Sequence, residues 1–466
     1  MVSDLLAAVS FRVRAAFYAL TPAEAFCGAL GSTPNFLSEA FPVILLLAAV
    51  EALYIRAKGR DDQWRLHEVV VNISSMGLAN GSALVLFRGA ELGLYTYVYE
   101  NWRVATLPWD SRLTYLYALL AVEFAAYWWH RAAHEVALLW SAHHVHHSSE
   151  DMNMFVAPRV SIFRPFYKWA FYVPLVVLGL PPATMVVHMQ LGVIYTAWTH
   201  NDTIPKLSKV VPYLGHAIEF VMVTPSHHRV HHGANKYCLD KNYGMVLIVY
   251  DRLFSTFAEE KEDEPIVYGT LKQRDSYDII GVQVEPAREL WAKVRSMRTL
   301  GDMARALFYG PGWVPGAPRL GREEDVPCVK GRKKHQFNVP AWFSFYLLVN
   351  ALSVFCCYLE VNSRYNEMDK WQPIVLVAYL ALAYAAVGAL FDGRRHGPRL
   401  EVARLLLFLL LSRAYPLFEA PAVNQAHALV CGLSLLLSPA VASASASRAA
   451  RRAAAAAAEK EEEKAE

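Results

Sequence analysis

The chain has 466 residues, of which 55% are hydrophobic, 12% aromatic and only 19% charged, and its mean hydropathy is +0.21. A soluble protein of this length normally carries about a quarter charged residues, so the composition argues against a water-soluble enzyme and favours a polytopic membrane protein. The net charge of +3 is too small to indicate nucleic acid as a partner, and the six scattered cysteines form no CxxC pair that would indicate a zinc ribbon.

The first half of the chain contains three candidate membrane spans. The first thirty residues mix charges into apolar sequence without a cleavage site, so no cleaved signal peptide is expected. A first span is predicted at 41–55, and the four basic residues that follow it within 56–65 indicate a cytosolic connection. A second apolar stretch, 68–99, has uncertain ends because polar residues interrupt it. A third span is predicted at 113–129.

Two further apolar runs, 166–180 and 183–198, are separated by "GLPP", so they predict a hairpin that enters and returns on one side of the membrane. From about 233 to 335 the chain turns polar and is expected to face solvent. Four more apolar runs follow near 340–358, 373–391, 399–412 and 425–442. The alanine- and charge-rich tail is low-complexity sequence and is assigned no function.

These runs predict an all-α, polytopic integral membrane protein built as a helical bundle. We expect five parts, which are an N-terminal segment (1–40), a membrane-embedded domain (41–260), a polar solvent-facing segment (261–338), C-terminal transmembrane helices (339–442) and the low-complexity tail (443–466).

Histidine is concentrated between residues 130 and 232, which make up less than a quarter of the chain but hold 13 of its 17 histidines. The region contains one HxxxH and two HxxHH patterns, and residues three or four apart share a helix face. Neutral imidazole is a good ligand for iron, zinc, copper or nickel. Eight such ligands exceed what one ion can use, so the patterns predict two metal ions. The predicted ligands are His130, His134, His143, His146, His147, His228, His231 and His232.

Other interpretations of these histidines are weaker. An isolated histidine in a membrane protein usually packs or lies at the interface, and this is expected for His67, His216, His335, His396 and His427. Adventitious metal binding predicts one loosely spaced cluster, not three spaced patterns. A zinc transporter would place its ligands along a path in mid-membrane, whereas these patterns follow directly after apolar runs, at the mouth of the membrane.

The three patterns, in this order and beside membrane spans, resemble the fatty acid hydroxylase superfamily of membrane histidine-box di-iron enzymes. Longer stretches are similar to the alkylglycerol monooxygenase family within it, including "EFAAYWWHRAAHEVALLWSAHHVHHSSEDMN", "TPSHHRVHHGANKYCLDKNYGMVLIVYDRLFSTF" and "GPGWVPGAPRLG". The similarity covers roughly residues 40–440. His144 departs from the family pattern, in which glutamine is expected.

The resemblance implies an oxidoreductase that hydroxylates the ether-bearing carbon of a 1-O-alkylglycerol with O2 and tetrahydrobiopterin, giving a fatty aldehyde and glycerol. It further implies two iron ions at the histidine patterns, in a multi-pass protein of the endoplasmic reticulum membrane whose active site faces the cytosol. Two alternatives stay open. One is a related di-iron hydroxylase or desaturase of fatty acids or sterols that uses cytochrome b5, and the other is a non-catalytic membrane metal-binding protein.

Carboxylates near the patterns have expected roles as well. The resemblance maps Glu135 onto a glutamate needed for activity in the family, so Glu135 is expected to be catalytic. Metal-binding histidines usually need a hydrogen-bond partner on the other ring nitrogen. Glu150, Asp151 and Asp240 lie close enough in sequence to act as such acceptors.

His200 lies where the apolar run of the hairpin's return arm gives way to polar sequence, level with the mouth of the site. We expect it to be a ninth ligand or a close neighbour of the metals, with a part in catalysis. His188 precedes it by twelve residues, which is about 18 Å along a helix, so His188 is expected in the cavity wall. His144 and His227 are off the i, i+3, i+4 pattern and are expected to support the ligands or face substrate.

Overall fold

The structure is a computed structural model that describes residues 2–87, 89–336, 339–414 and 418–465. The regular elements in these residues are helices, and extended backbone pairs only at two isolated bridges, Met222 with Leu247 and Gly233 with Tyr268. The predicted all-α class is therefore confirmed.

The N-terminal region forms five helices. They are α1 (Val2–Ala16), α2 (Pro22–Ala25), α3 (Phe36–Ala57), α4 (Leu66–Phe87) and α5 (Ala90–Trp102). The Asn35 side chain accepts the backbone N–H of Ser38 and so caps the start of α3. The apolar stretch predicted at 68–99 divides between α4 and α5 at Gly89, whose φ of +80° is a left-handed conformation that glycine adopts without strain.

The histidine-rich region forms the next eight helices. They are α6 (Arg112–Glu135), α7 (Ala137–His147), α8 (Val173–Val177), α9 (Pro182–Thr199), α10 (Leu207–Val210), α11 (Pro212–Val221), α12 (Pro225–His232) and α13 (Val249–Leu253). The predicted hairpin has a continuous helix only in its return arm, α9. Its first arm is broken into short pieces, because Pro165 and Pro174 lack the N–H that a longer helix would use.

Helix α6 separates an apolar outer face from a polar inner face. Leu113, Leu116 and Phe124 lie at helical spacing and are exposed, whereas His130 and His134 near its C-terminus are buried. The outer face is thus suited to lipid, and the inner face directs imidazoles into the protein.

The N-terminal segment completes the packing around α9. Helix α1 packs against α3 and α9. Buried Ala15 and Phe36 share one apolar cluster with Val187 and Leu191 of α9. The sequence had assigned no role to this segment.

The polar segment after α13 contains α14 (Ile279–Arg295) and α15 (Leu300–Phe308). Both helices pack against α7, and α14 also packs against α17 (Trp371–Phe391) of the C-terminal bundle. The segment therefore covers α7, one of the histidine-bearing helices, and does not simply face solvent.

The C-terminal bundle consists of α16 (Ala341–Arg364), α17, α18 (Gly397–Ala414), α19 (Pro421–Leu436) and α20 (Ser438–Ala465). Its apolar side chains and those of α4 form one buried core. The apolar runs predicted near 340–358, 373–391 and 399–412 correspond to α16, α17 and α18, whereas the run predicted near 425–442 divides between α19 and α20.

Within the described residues, four helical segments are long and apolar enough to cross a membrane. They are Leu30–Ala57, Asp61–Phe87, Ala341–Arg364 and Trp371–Phe391. The pair Pro421–Leu436 and Ser438–Arg451, bent by 59°, would add a fifth if it forms one span. These helices agree with the predicted polytopic membrane protein, while the spans predicted at 113–129 and 183–198 stay predictions.

A fully buried ion pair lies inside the C-terminal bundle. The guanidinium of Arg404 donates to the carboxylate of Glu401 and to the side-chain oxygen of Asn350, and the hydroxyl of Tyr346 also donates to Glu401. Arg404 and Glu401 are both 0% exposed. A buried charge without its partner is costly, so each residue depends on the other.

We expect Arg404→Met to lower the free energy of unfolding by about 3–5 kcal/mol, because it leaves Glu401 buried and uncompensated. The double variant Arg404→Met with Glu401→Gln should recover at least half of that loss, since no buried charge remains. Thermal unfolding of the detergent-purified protein measures both. A double variant less stable than Arg404→Met would contradict the pairing.

Candidate metal centre

Nine histidines from four helices converge in the interior of the protein. Helix α6 contributes two on its last two turns, α7 contributes three, α12 contributes three, and His200 caps the C-terminus of α9. The HxxxH and HxxHH spacings place each set on one helix face, as the sequence predicted.

The nine histidines form two groups, and in each group one ring nitrogen per residue lies within 4.8 Å of all the others. The five-histidine group contains His130, His134, His143, His147 and His231. The four-histidine group contains His146, His200, His228 and His232. The groups adjoin, since the rings of His147 and His232 stack with their centroids 4.4 Å apart. The eight predicted ligands and His200 are all brought together.

The ring nitrogens have the spacing of ligands around a metal ion. The Nε2 atom of His143 lies 3.0 Å from that of His130 and 3.2 Å from that of His147. In the other group, the Nε2 atoms of His200 and His228 are 2.9 Å apart. Two nitrogens that bind one ion at about 2.1 Å and at right angles lie about 3.0 Å from each other. The donor set therefore fits a metal ion in each group.

Two buried nitrogens in the five-histidine group have no hydrogen-bond partner. They are the Nε2 atoms of His134 and His231, whose side chains are almost fully buried. An unsatisfied buried polar atom is unfavourable. A metal ion bound at this position would satisfy both lone pairs.

Backbone carbonyls fix the orientation of four of the rings through Nδ1. The Nδ1–H groups of His130, His146, His200 and His231 donate to the carbonyls of Tyr243, Arg159, Thr196 and Lys241, at 2.7, 3.1, 2.7 and 2.9 Å respectively. Because a carbonyl only accepts, each of these rings carries its proton on Nδ1 and leaves the Nε2 lone pair free for a metal.

Two of these carbonyls belong to a loop with an unusual backbone, "DKNYG" at residues 240–244. Asp240 and Asn242 both have positive φ, +56° and +57°, which these residue types tolerate better than most. Asn242 also bonds through its side chain to the backbone of His227 and Ala258. Because positive φ angles occur at every second residue, the carbonyls of residues 241 and 243 both point toward the histidines.

The buried rings are held in their neutral form. Burial lowers the pKa of His200 and of His231 to about 4, so both are uncharged at neutral pH and can bind a metal ion. Burial also lowers the pKa of the other seven well below its usual range.

Glu135 lies at the junction of α6 and α7, beside the five-histidine group. Its carboxylate accepts from Arg131 at 2.8 Å and from Arg319, and Arg319 also donates to the Glu135 carbonyl. The neighbouring Asp240 has an oxygen 3.7 Å from Nδ1 of His134. Burial, and then the charge of Glu135, raises the pKa of Asp240 to about 6. Glu135 is thus held by two arginines next to the histidines.

The expectation that Glu150 and Asp151 accept from metal-binding histidines is wrong. Asp151 pairs with Arg65 at 3.0 Å and with Lys334 at 3.0 Å. One oxygen of Glu150 accepts the backbone N–H of His335 at 2.8 Å. These carboxylates hold the loop before α4 and the end of the polar segment beside the site. The acceptors of the histidine N–H groups are instead backbone carbonyls.

The remaining histidines of the region lie outside both groups. His188 is fully buried, with Nδ1 2.5 Å from the Tyr18 hydroxyl, and the continuous helix α9 separates it from His200 by twelve residues. His227 caps the start of α12 by bonding to Thr224. The His144 ring packs near Trp140.

Comparison with known proteins adds a family assignment for part of the chain. The fatty acid hydroxylase family matches residues 115–256, which include all nine histidines. No solved structure matches the chain.

Curated relatives match most of the chain. It is 34% identical to the alkylglycerol monooxygenase of Homo sapiens over 87% of this chain and 88% of the relative. It is 33% identical to that of Danio rerio, with the same coverage of both chains. Identity to that of Caenorhabditis elegans is 28%, over 84% of this chain and 79% of the relative.

We expect His200→Ala and His231→Ala each to reduce metal content from about two ions per chain to about one or none, since each removes a ligand. His188→Ala should retain both ions because its ring lies outside both groups. Elemental analysis of the purified variants measures this, with exposed His216→Ala as the matched control. Loss of metal in the His188 variant would contradict the two groups.

Removal of Arg319 should impair turnover without removing metal. In Arg319→Ala the Glu135 carboxylate keeps only one arginine partner, so we expect kcat to fall by about tenfold with KM for the lipid unchanged. Arg319→Lys should recover part of the rate. Arg322→Ala, which removes a nearby arginine bonded to the carbonyl of Gly316, is the control. An unchanged kcat in Arg319→Ala would show that Glu135 does not need this contact.

Proposed function

Because this chain belongs to the alkylglycerol monooxygenase family, we propose that it is a membrane-bound ether-lipid monooxygenase that acts on 1-O-alkylglycerols. The observation that carries the proposal is the pair of adjoining groups of nine buried, neutral histidines. The fatty acid hydroxylase match across the same residues supports it.

We assign one iron ion to each histidine group, with all nine histidines as ligands. A set of imidazoles suits iron, and the adjoining groups fit a two-metal site. When bound, the iron pair would supply the activation of O2.

The reaction inserts one oxygen atom of O2 into a C–H bond of the ether-bearing carbon. The other oxygen atom is reduced to water by two electrons from tetrahydrobiopterin. The resulting hemiacetal breaks its C–O bond, which releases a fatty aldehyde and glycerol.

The chain's own residues orient and protect the site. Carbonyls such as those of Thr196 and Lys241 hold the rings in one tautomer, so the ligand geometry is set before metal binds. The histidines are buried, so bulk water has little access to the nitrogens that would hold the iron ions. Glu135, fixed by Arg131 and Arg319, is proposed as a catalytic carboxylate beside the five-histidine group.

We propose that the site faces the cytosol from the endoplasmic reticulum membrane. The basic loop after α3 supports this orientation, because Arg65 pairs with Asp151 and Arg60 lies 3.6 Å from Asp202, both near site histidines. Basic residues that flank a span favour the cytosolic side. The alkyl chain would then enter from the lipid phase while the glycerol end meets the site.

Purified protein given 1-O-hexadecylglycerol, O2 and tetrahydrobiopterin should form hexadecanal, detected by chromatography. We expect product to fall to background without the pterin, because the electron donor is then missing. The same is expected in His231→Ala, because that variant lacks an iron ligand. Turnover supported by cytochrome b5 and not by the pterin would instead indicate a b5-dependent hydroxylase of fatty acids or sterols.

A further inference from the structure

A pair of short helices connects two segments that carry the four-histidine group. Helices α10 and α11 lie in the chain between His200, at the end of α9, and α12. They pack closely against each other, since a Cβ atom at Gly215 of α11 would overlap the carbonyl of Leu207 in α10. The sequence alone predicts no membrane contact for this connection.

Helix α11 turns its apolar side chains outward and its one carboxylate inward. Tyr213 is 94% exposed, Leu214 60% and Phe220 61%. Glu219 is instead buried, and its carboxylate accepts two backbone N–H groups of α10 at 2.7 and 3.3 Å. A helix on a water-covered surface has the opposite arrangement, with charged side chains outside and apolar ones inside.

The exposed apolar side chains of this helix pair form one patch. Val210 and Val211 directly precede α11, and residues 213, 217 and 220 are three or four apart, so they lie on one helix face. A patch of this kind marks a surface that contacts a protein or a membrane. Its six large members are Val210, Val211, Tyr213, Leu214, Phe220 and Val221.

The length of α11 limits how it could contact a bilayer. Its ten residues (Pro212–Val221) extend about 15 Å at 1.5 Å per residue, which is half of a hydrocarbon core about 30 Å thick. The helix is therefore too short to cross the membrane. A short helix with one apolar face is suited to lie along the membrane surface, with that face among the first carbons of the lipid chains.

Helix α13 joins the patch to the outer face of α6. The guanidinium of Arg252 lies 4.9 Å from the ring of Phe220 and donates to the Phe220 carbonyl at 3.2 Å. Two residues earlier, Tyr250 donates through its hydroxyl to the carbonyl of Leu120 at 2.8 Å, and its ring lies 5.6 Å from that of Phe124. Leu120 and Phe124 are exposed on the face of α6 that is suited to lipid. The patch thus continues a lipid-facing surface.

The cations beside the patch are already paired. Lys206 forms an ion pair with Glu259 at 3.1 Å, and Lys209 forms one with Glu262 at 2.7 Å. These lysines therefore have little capacity to attract anionic lipid headgroups. Burial of apolar side chains is the interaction that favours membrane contact here, so a neutral bilayer should suffice.

We propose that α10 and α11 form an in-plane membrane hairpin whose apolar patch is inserted into the interfacial layer of the bilayer. The hairpin is tied to the four-histidine group at both ends, because it follows His200 directly and is joined to α12 by residues 222–224. There the Tyr195 hydroxyl of α9 donates to the Val223 carbonyl at 2.7 Å. The inserted hairpin therefore holds this group at the level of the membrane surface, whichever lipid the enzyme hydroxylates.

The test places nitroxide spin labels on the full-length protein in phosphatidylcholine vesicles. Their depth is measured by power-saturation EPR with O2 and a water-soluble nickel chelate. Labels are attached at Tyr213→Cys and Leu214→Cys in a protein whose exposed cysteines are replaced by Cys328→Ser and Cys356→Ser. We expect both labels about 5–10 Å below the lipid phosphates.

Two reference labels calibrate the depth. Leu116→Cys, on the exposed outer face of α6, should report lipid, and Asp263→Cys, in the exposed acidic segment after α13, should report water. Each labelled variant should contain as much metal as the unsubstituted protein, which verifies that the fold is retained.

A second measurement needs no substitution. The unsubstituted protein is placed in vesicles that contain a phospholipid with a photoactivatable diazirine near the glycerol end of its acyl chain, and the adducts are mapped by mass spectrometry. We expect adducts within residues 210–221 and 113–124, and none within residues 259–264.

Three results would overturn the inference. Labels at 213 and 214 that match the label at 263 would place the hairpin in water, and so would the absence of lipid adducts within 210–221. Labels shielded from both O2 and nickel, with spectra broadened by spin–spin interaction, would show that a second copy of the chain covers the patch. The proposed reaction would survive each of these results, because product formation tests it separately.

Discussion

Nine imidazoles whose nitrogen lone pairs converge inside the protein impose the constraint on which the site depends. Neutral rings with facing Nε2 atoms 2.9–3.2 Å apart gain little from one another, because lone pairs that face each other cannot all be satisfied by shared protons. The arrangement is stabilised when a positive ion is bound in the five-histidine group and another in the four-histidine group. The four helices that carry the rings must therefore be held in place by contacts other than those between the histidines.

Those contacts are mostly backbone carbonyls and buried ion pairs around the site. The loop 240–244 is pinned by Asp251, which accepts the N–H groups of Tyr243 and Gly244 at 2.7 Å each. On the other side Arg159 joins the carbonyl of Val145 in α7 to Glu68 and Asn72 of α4. The membrane helices and the histidine helices are thus linked by hydrogen bonds whose partners are buried, where they are strongest.

The sequence predicted the part of the site that is local along the chain. Spacings of three and four residues place histidines on one helix face whatever the rest of the fold does, and His200 was found from its place at the end of an apolar run. The carbonyl partners were missed because every residue has a backbone carbonyl and no residue type marks the ones that accept, whether the partner is distant, as Tyr243 is from His130, or only four residues away, as Thr196 is from His200. The only local indication of the loop at 240–244 was that Asp240 and Asn242, two residues apart, are residue types that tolerate positive φ. The all-α class followed from composition and apolar runs, but the prediction of a hairpin did not include the division of its first arm into short helical pieces, two of which begin with Pro165 or Pro174 in their first turn.

The end of the polar segment has a consequence for biosynthesis. The Arg65 side chain, just before α4, donates to the carbonyl of His335, 270 residues later, and Lys334 reaches Asp151. A ribosome that has released only the histidine-bearing helices has not yet made the groups that hold this side of the site together. The nascent chain must therefore keep a partly open, metal-binding interior in the membrane until about residue 335 has emerged.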